Sequence, residues 1–222
     1  SAVTVAPNLA ITGNVIGNAT PGNATTVYSR GITVQGFDNA LIAGNLVQNM
    51  AWFVSTAEMG IALGEVSSVG QNSVVERNVV NGVNARNTGT YGAYGINVIA
   101  GNGITVRNNF VTNITGDISG GAAFSTTFGI FGIRVAAGLN HRIYHNSVNL
   151  YGLRTGTATA TSLLSAAFGI TGTGLTGCDV RNNAFSNTQS GGASSLAYVS
   201  IFLPSGGSST MNLTLNNNGY YT

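Results

Sequence analysis

The sequence predicts an all-β protein, a right-handed parallel β-helix solenoid with about seven rungs, three faces and variable loops on one edge. Three observations predict it: a recurring asparagine motif, a recurring glycine-led strand and a composition with little charge. Of the 222 residues, 43% are hydrophobic and only 6% are charged, which supplies ample apolar material for an elongated core. No linker divides the chain, so we expect a single β-helix domain over residues 1–222.

The asparagine motif defines the repeat. Seven asparagines each follow an aliphatic residue by three positions: Asn14, Asn45, Asn78, Asn109, Asn146, Asn183 and Asn218. The aliphatic residues are Ile11, Ile42, Val75, Val106, Ile143, Val180 and Leu215. The period ranges from 31 residues (Asn14 to Asn45) to 37 residues (Asn109 to Asn146), which is typical of stacked coils. We predict that each set forms a vertical ladder, with the aliphatic residues as an interior column.

A glycine-led strand forms the second landmark. It begins at Gly31, Gly60, Gly95 and Gly132, and each glycine is followed by Ile-x-apolar. Weaker copies begin at Gly169 and Ser200. The alternation has the period of a strand with one buried face, and stacking of such strands would separate the rungs by about 4.8 Å.

Polar residues six or seven positions before each motif asparagine mark a corner between strands. They are Asn8, Asn39, Asn72, Asn102, Asn140, Thr176 and Asn212. Asparagine suits a sharp corner because it tolerates left-handed backbone angles and bonds to its own backbone. One coil therefore consists of a glycine-led strand, a corner, a short strand ending at the motif asparagine, a second corner, another strand and a variable loop. The longest loops are expected over residues 113–131 and 150–168.

An outward column lies two residues before the motif asparagines. It contains Thr12, Ala43, Glu76, Arg107, Tyr144, Arg181 and Asn216. We expect an exposed ion pair between Glu76 and Arg107, and cation–π contacts of Tyr144 with Arg107 and Arg181. This column mainly keeps the rungs in register, and the alternative is a glycan-binding surface formed by Arg107, Tyr144 and Arg181.

Other chemistry finds little support in the sequence. The 8 basic residues form no stripe of the kind that binds nucleic acid, and no apolar segment is long enough to insert into a membrane. The six carboxylates fall on different coils, without the clustering that calcium or acid–base catalysis needs: Asp38, Glu58, Glu65, Glu76, Asp117 and Asp179. His141 and His145 are interpreted as corner and stacking residues, and Cys178 as an inert buried thiol. We therefore expect no catalytic residue, metal or cofactor.

Two stretches, residues 138–152 with the sequence GLNHRIYHNSVNLYG and residues 211–221 with the sequence MNLTLNNNGYY, carry the rung pattern most clearly. The chain resembles the right-handed parallel β-helix proteins of the pectate-lyase-like superfamily. These two stretches also resemble units found in tandem in very large bacterial cell-surface proteins. The first resemblance implies the fold, and the second implies a non-catalytic role at a cell surface.

The function expected from these patterns is structural. No cap is recognisable at either terminus, so we expect Val3 and Val5 to stack against Leu213, Leu215 and Tyr220 of another copy or of a neighbouring tandem repeat. The product would be a head-to-tail fibre of a secreted or surface protein. One alternative is a surface adhesin or polysaccharide-binding module. Another is a polysaccharide lyase or hydrolase of the same superfamily.

Overall fold

The computed structural model describes residues 5–20, 29–52, 56–65, 70–86, 91–116, 125–154, 164–191, 197–204 and 209–222. Val3 and large parts of the two long loops lie outside the described residues. The strands are β1 (Ala6–Pro7), β2 (Ala10–Thr12), β3 (Val15–Gly17), β4 (Arg30–Val34), β5 (Phe37–Asp38), β6 (Leu41–Ala43), β7 (Leu46–Trp52), β8 (Glu58–Leu63), β9 (Gly70–Gln71), β10 (Val74–Glu76), β11 (Val79–Ala85), β12 (Ala93–Val98), β13 (Thr105–Arg107), β14 (Phe110–Gly116), β15 (Ile130–Val135), β16 (Arg142–Tyr144), β17 (Ser147–Leu153), β18 (Leu164–Ile170), β19 (Asp179–Arg181), β20 (Ala184–Ser190), β21 (Ala197–Phe202), β22 (Thr214–Asn216) and β23 (Gly219–Tyr221). A 3-10 turn covers Ser209–Met211.

The strands form three long parallel sheets, which confirms the β-helix. The first sheet is β2-β6-β10-β13-β16-β19-β22, and the second is β3-β7-β11-β14-β17-β20-β23. The third sheet is β4-β8-β12-β15-β18-β21, and a short fourth sheet, β1-β5-β9, lies at the corner that leads to the first. The rung count is slightly lower than expected, because the third sheet has six strands and spans five full turns. The right hand of the coil stays a prediction.

The aliphatic residues of the motif lie directly over one another in the first sheet. Ile11 pairs with Ile42, and the register continues through Val75, Val106, Ile143 and Val180 to Leu215. The five members from Ile42 to Val180 are fully buried. They form the interior column that the repeat predicts, and their burial supplies the main driving force for stacking.

The glycines of the third sheet are required by close packing across the core. A Cβ added to Gly60 would lie 2.5 Å from Val80 Cγ1 in the second sheet and 2.6 Å from the Gly95 carbonyl oxygen in the next coil. Gly31 meets the same restriction, 2.7 Å from Val47 Cγ1 and 2.6 Å from the Gly60 carbonyl. In these coils the glycine therefore makes room for the valine that lies two residues after the motif asparagine.

The structure corrects the register predicted for the fifth copy of this strand. Phe168 pairs with Ile133, and Gly169 pairs with Arg134, so Ala167 rather than Gly169 occupies the glycine position. The sequence signature is hidden because Phe168 replaces the usual isoleucine. Its ring stacks on Phe185 of the second sheet, with ring centroids 5.1 Å apart. An aromatic pair thus replaces the isoleucine–valine contact of other coils.

The corner prediction is right at five positions and wrong by one residue at two. Positive φ angles occur at Asn8, Asn39, Asn72, Asn140 and Asn212. Asn102 and Thr176 instead continue an extended column of bridges, and Gly103 (φ 63°) and Gly177 (φ 72°) make the corners. Glycine takes the left-handed angle without steric cost, so these two coils need no asparagine there.

A second left-handed corner comes immediately before every motif asparagine. The residues are Gly13, Gly44, Arg77, Asn108, His145, Asn182 and Asn217, with φ between 52° and 68°. Arg77 and His145 are unusual in this conformation, which costs a side chain roughly 1 kcal/mol. The bonds of the stacked asparagines that follow hold the backbone in place at these two residues.

The third sheet is buried on both faces, whereas its sequence pattern predicts only one. All six positions of β8 and of β12 are buried. On its outer side, Tyr94 stacks on Phe131 with ring centroids 6.0 Å apart, and the Arg134 guanidinium lies over both rings. A satellite core of Met59, Tyr94, Phe131 and Ala166 therefore lies outside the main core.

Candidate functional site

The motif asparagines form a continuous hydrogen-bonded ladder along the solenoid. In the first six motif asparagines, the backbone N–H and side-chain Nδ2 donate to Oδ1 of the asparagine in the following coil, at 2.8–3.1 Å. The remaining Nδ2 hydrogen of Asn109 goes to the Val75 carbonyl in the preceding coil, at 2.9 Å. Asn45 and Asn218 bond to the Ile11 and Val180 carbonyls in the same way. One side chain thus bridges three coils.

The ladder has a uniform direction, so its two ends differ chemically. Within the described residues, no group donates to Asn14 Oδ1, and neither the backbone N–H of Asn218 nor its second Nδ2 hydrogen has an acceptor. The five asparagines between these ends are buried. One end therefore presents an acceptor and the other presents donors in the complementary geometry.

The end coils also expose the aliphatic and aromatic residues of the ladder. Leu215 is 39% exposed and Tyr220 is 45% exposed, although their equivalents in the middle coils are buried. Val5 and Leu213 are half-buried, and Val3 lies outside the described residues. Leu215 and Tyr220 thus lie on an apolar end face, next to the donors of Asn218.

The outer face of the first sheet carries a cluster of charged residues. Arg107 Nε donates to Glu76 Oε2 at 2.7 Å, as the column predicts, and Arg77 Nη2 donates to Glu76 Oε1 at 2.6 Å. The hydrogen bond from Arg107 is the largest cause of a lowered pKa of the Glu76 carboxyl. The sequence does not predict the contact of Arg77 with Glu76. It arises because Arg77 has a left-handed backbone angle at the corner, which directs its side chain toward the outward column.

The cation–π contacts predicted around Tyr144 are replaced by bonds to a carboxylate. The Tyr144 hydroxyl donates to Asp179 Oδ2 at 2.7 Å, and Arg181 Nε donates to Asp179 Oδ1 at 2.5 Å. Arg107 points to Glu76 instead. A charged hydrogen bond is stronger than an exposed cation–π contact, which explains the choice. Arg107, Tyr144 and Arg181 lie on one face, but each already has a polar partner.

We expect Arg107→Ala to raise the pKa of the Glu76 carboxyl toward its ordinary value of 4.5, because the main bond to the carboxylate is lost. The unfolding free energy should change by only about 0–1 kcal/mol, since Arg107 is half-exposed and Arg77 remains paired with Glu76. Titration of the carboxyl by NMR measures the shift. Arg181→Ala is the control, because its partner is Asp179. Equal shifts in both variants would contradict the assignment.

The carboxyls of Glu58 and Glu65 have pKa values shifted in opposite directions, and Arg30 acts on both. Arg30 forms a salt bridge with Glu65, and this hydrogen bond lowers the pKa of the Glu65 carboxyl. Burial raises the pKa of Glu58 to about 7, despite a bond from the Ser29 backbone N–H. Glu58 lies in a column with Ala93 and Ile130, so it occupies a position that is apolar in the next two coils. A carboxylate at such a position is the feature of the sequence that indicates a buried, perturbed acid.

Two carboxyls with opposite pKa shifts at one site are a feature of acid–base catalysts. A general acid must, however, lie within hydrogen-bonding distance of its substrate. Glu58 is completely buried, and its Oε1 has no hydrogen-bond partner among the residues that the structure describes. The opposite pKa shifts therefore do not make a catalytic site, and we interpret Glu58 as a buried group that destabilises the coil.

His141 and Cys178 occupy consecutive positions in an interior column. His141 Nδ1 accepts the Ile104 backbone N–H at 3.3 Å, so Nε2 carries the hydrogen that reaches the Ala137 carbonyl at 3.1 Å. Burial lowers the pKa of this imidazole and raises the pKa of the Cys178 thiol to about 12. His141 stays neutral and Cys178 stays a thiol, so neither side chain is poised for nucleophilic chemistry.

In the described part of the chain, no three His, Cys, Asp or Glu side chains come together as a metal-binding group. The same residues include no helix with the length and apolar character needed to cross a membrane. Comparisons with known proteins matched no family model, no curated protein and no solved structure.

Proposed function

We propose that the protein is a non-catalytic structural element of a secreted or cell-surface fibre, in which β-helices stack head to tail. In this proposal it is a right-handed member of the pectate-lyase-like superfamily, similar to the tandem units of large bacterial surface proteins. The observation that carries the proposal is the direction of the asparagine ladder, whose acceptor end and donor end complement each other.

Stacking would continue the register found inside the molecule. In the next copy, Asn14 Oδ1 would accept from the backbone N–H and Nδ2 of Asn218, as Asn218 Oδ1 accepts from Asn183. Ile11 would cover Leu215 in the interior column, and Ile16 would cover Tyr220 in the second sheet. Each contact reproduces one that is already formed between adjacent coils.

The contact joins two different surfaces, so it is heterologous and does not close by two-fold symmetry. Parallel strands at both ends offer unpaired backbone groups, which favour addition of a further strand. Burial of Leu215 and Tyr220 adds an apolar contribution of roughly 1 kcal/mol each, less than half of the value for a fully exposed side chain, because both are already more than half-buried. The hydrogen bonds of the ladder thus set the direction in which the copies stack, and apolar burial supplies the driving force.

Concentration-dependent filaments of uniform width are expected for the purified chain, in negative-stain images and in sedimentation velocity. Tyr220→Lys should abolish them, because it places a charge on the apolar end face. Tyr151→Lys is the matched control: Tyr151 is 46% exposed, close to the 45% of Tyr220, but it lies on the side of the solenoid in β17. A parent chain that stays monomeric at every concentration, or a Tyr220→Lys variant that polymerises normally, would refute the proposal.

A further inference from the structure

The outer face of the second sheet carries an apolar stripe at the first residue of its strands. Val15, Leu46, Val79 and Phe110 stack in register in four consecutive coils. Val15, Val79 and Phe110 are exposed, and Leu46 is half-buried. Single exposed apolar side chains are common on protein surfaces, whereas an unbroken column of them is typical of a contact surface.

Small residues continue this stripe through the other three coils. Phe110 pairs with Ser147, Ser147 pairs with Ala184, and Ala184 pairs with Gly219. The order of the sheet places β14, which begins at Phe110, at its centre with three strands on each side. The stripe is therefore bulky in one half of the solenoid and shallow in the other half.

A second outward column lies two residues further along the same strands. It consists of Gly17, Gln48, Asn81, Thr112, Asn149, Ser186 and Tyr221. At one end, a Cβ added to Gly17 would lie 1.8 Å from the Gln48 carbonyl oxygen, so this position stays without a side chain. At the other end, Tyr221 is exposed. Neither column contains a charged residue, in contrast to the outer face of the first sheet.

We propose that this face binds the same face of a second copy of the chain, with the two solenoids antiparallel. The two-fold axis runs along the strand direction over β14. It places the first coil opposite the seventh, the second opposite the sixth and the third opposite the fifth. Because the axis is parallel to the strands, each column meets its own counterpart. The contact is isologous, unlike the head-to-tail contact between the ends.

This arrangement brings bulky side chains opposite small ones along the whole apolar stripe. The opposing residues are Val15 and Gly219, Leu46 and Ala184, and Val79 and Ser147. Phe110 lies on the axis and meets the Phe110 ring of the second copy. Protein interfaces pack as closely as protein interiors, so steps of opposite height on the two halves of one face favour an antiparallel pair.

The second column fits the same axis. Tyr221 faces Gly17, where the missing side chain leaves room for the ring. Asn81 faces Asn149, and each amide can both donate and accept a hydrogen bond. A parallel pair would instead place every residue opposite itself, which crowds Tyr221 against Tyr221 and leaves a gap at Gly17. The sizes of the side chains in both columns therefore favour the antiparallel arrangement.

The area of the face links this contact to the stacking of copies. Seven strands about 4.8 Å apart span about 29 Å, and two columns about 7 Å apart cover a width of about 10 Å, which gives roughly 300 Å² per copy. A standard interface buries about 800 Å² per partner, so a single pair is weak. In a head-to-tail stack the pairing repeats in every copy, and about three copies reach the standard area. The stability of the lateral contact thus rests on the proposed function.

Cross-linking of two cysteine variants tests the arrangement. Val79→Cys and Ser147→Cys place thiols on opposing coils, and Cys178 is buried and does not compete. In an antiparallel pair, the two thiols of one variant lie two coils apart, beyond the reach of a short bismaleimide. An equimolar mixture should therefore give at least about tenfold more covalent dimer than either variant alone, because pairing raises the local concentration of the two different thiols. Denaturing gels measure the yield.

A second pair of cysteine variants separates this inference from the head-to-tail contact. Thr12→Cys and Asn216→Cys cross-link where the last coil of one copy meets the first coil of the next. A lateral product without this end-to-end product would uphold the inference and refute the proposed stacking, and the reverse result would overturn the inference alone. Val79→Cys mixed with Thr12→Cys measures random collision, since neither contact brings these residues together. A lateral yield at this background overturns the inference.

Phe110→Lys, added to both lateral cysteine variants, should lower the yield of dimer at least about fivefold, because like charges meet on the two-fold axis. Leu139→Lys is the matched control. Leu139 is 40% exposed, close to the 45% of Phe110, and lies in the column of bridges between the third sheet and the first. Equal yields with Phe110→Lys and Leu139→Lys would overturn the inference. Equal yields from the mixture and from each variant alone would do the same, because they indicate a parallel pair.

Discussion

Replacement of Asn109 by alanine is expected to lower the free energy of unfolding by about 4 kcal/mol. The Asn109 side chain makes four hydrogen bonds in the buried middle of the ladder: two to its Oδ1 from Asn78, and two from its Nδ2 to Val75 and Asn146. Alanine removes all four and leaves the buried backbone N–H of Asn78 and one Nδ2 hydrogen of Asn78 without their acceptor. Equilibrium urea denaturation measures the loss.

Asn14→Ala is the matched control for this experiment. The Asn14 side chain is exposed, donates only to the Thr12 carbonyl and to Asn45 Oδ1, and accepts no bond within the described residues. Its removal should cost less than about 1 kcal/mol, because water can solvate the groups that it leaves. Similar costs at both positions would show that the buried bonds of the ladder contribute little to stability.

Replacement of Glu58 by glutamine is expected to stabilise the protein above pH 7 and to have little effect in acid. The pKa of Glu58 rises from 4.5 to about 7 on folding because the carboxyl is buried. Below pH 4.5 both states hold the proton and folding meets no penalty. Between 4.5 and 7 only the folded state retains the proton, so the free energy of unfolding falls as pH rises. Above this range the penalty is on the order of 3 kcal/mol.

Glutamine keeps an acceptor for the Ser29 N–H and cannot ionise, so it should remove this penalty. Urea denaturation of the parent and variant across the pH range measures the difference. Glu65→Gln is the contrasting control, because the Arg30 hydrogen bond lowers the pKa of the Glu65 carboxyl. Glu65 stabilises the fold above its ordinary pKa and loses this effect as pH falls, so its removal should destabilise at neutral pH. The same sign of effect in both variants would contradict the assignments.

The rungs, sheets and ladder could be predicted from the sequence because they depend on a short sequence pattern that recurs at the same place in every coil. Ile42 and Val75 are separated by a whole coil, yet each lies three residues before an asparagine that stacks in register. An amide side chain can both donate and accept, so stacked asparagines satisfy each other. The chemistry of one residue type therefore determines the vertical alignment of the coils.

The remaining features depend on contacts between sheets, which the periodicity does not encode. Phe168 takes the place of isoleucine because Phe185 faces it across the core. The Gly-Ile signature at Gly169 therefore predicts the wrong register for this coil. Arg77 adopts a left-handed angle that its own preference disfavours, because the stacked backbone above and below requires it.

The uniform ladder has a consequence for how such a chain can evolve. Every interior coil presents an acceptor on one side and donors on the other, so a duplicated coil inserted in frame would find matching partners above and below. The coils differ in length, but the spacing from the aliphatic residue to its asparagine is three residues in all seven copies. The differences in length therefore lie outside the ladder. Lengthening by gene duplication therefore requires no compensating change in neighbouring units.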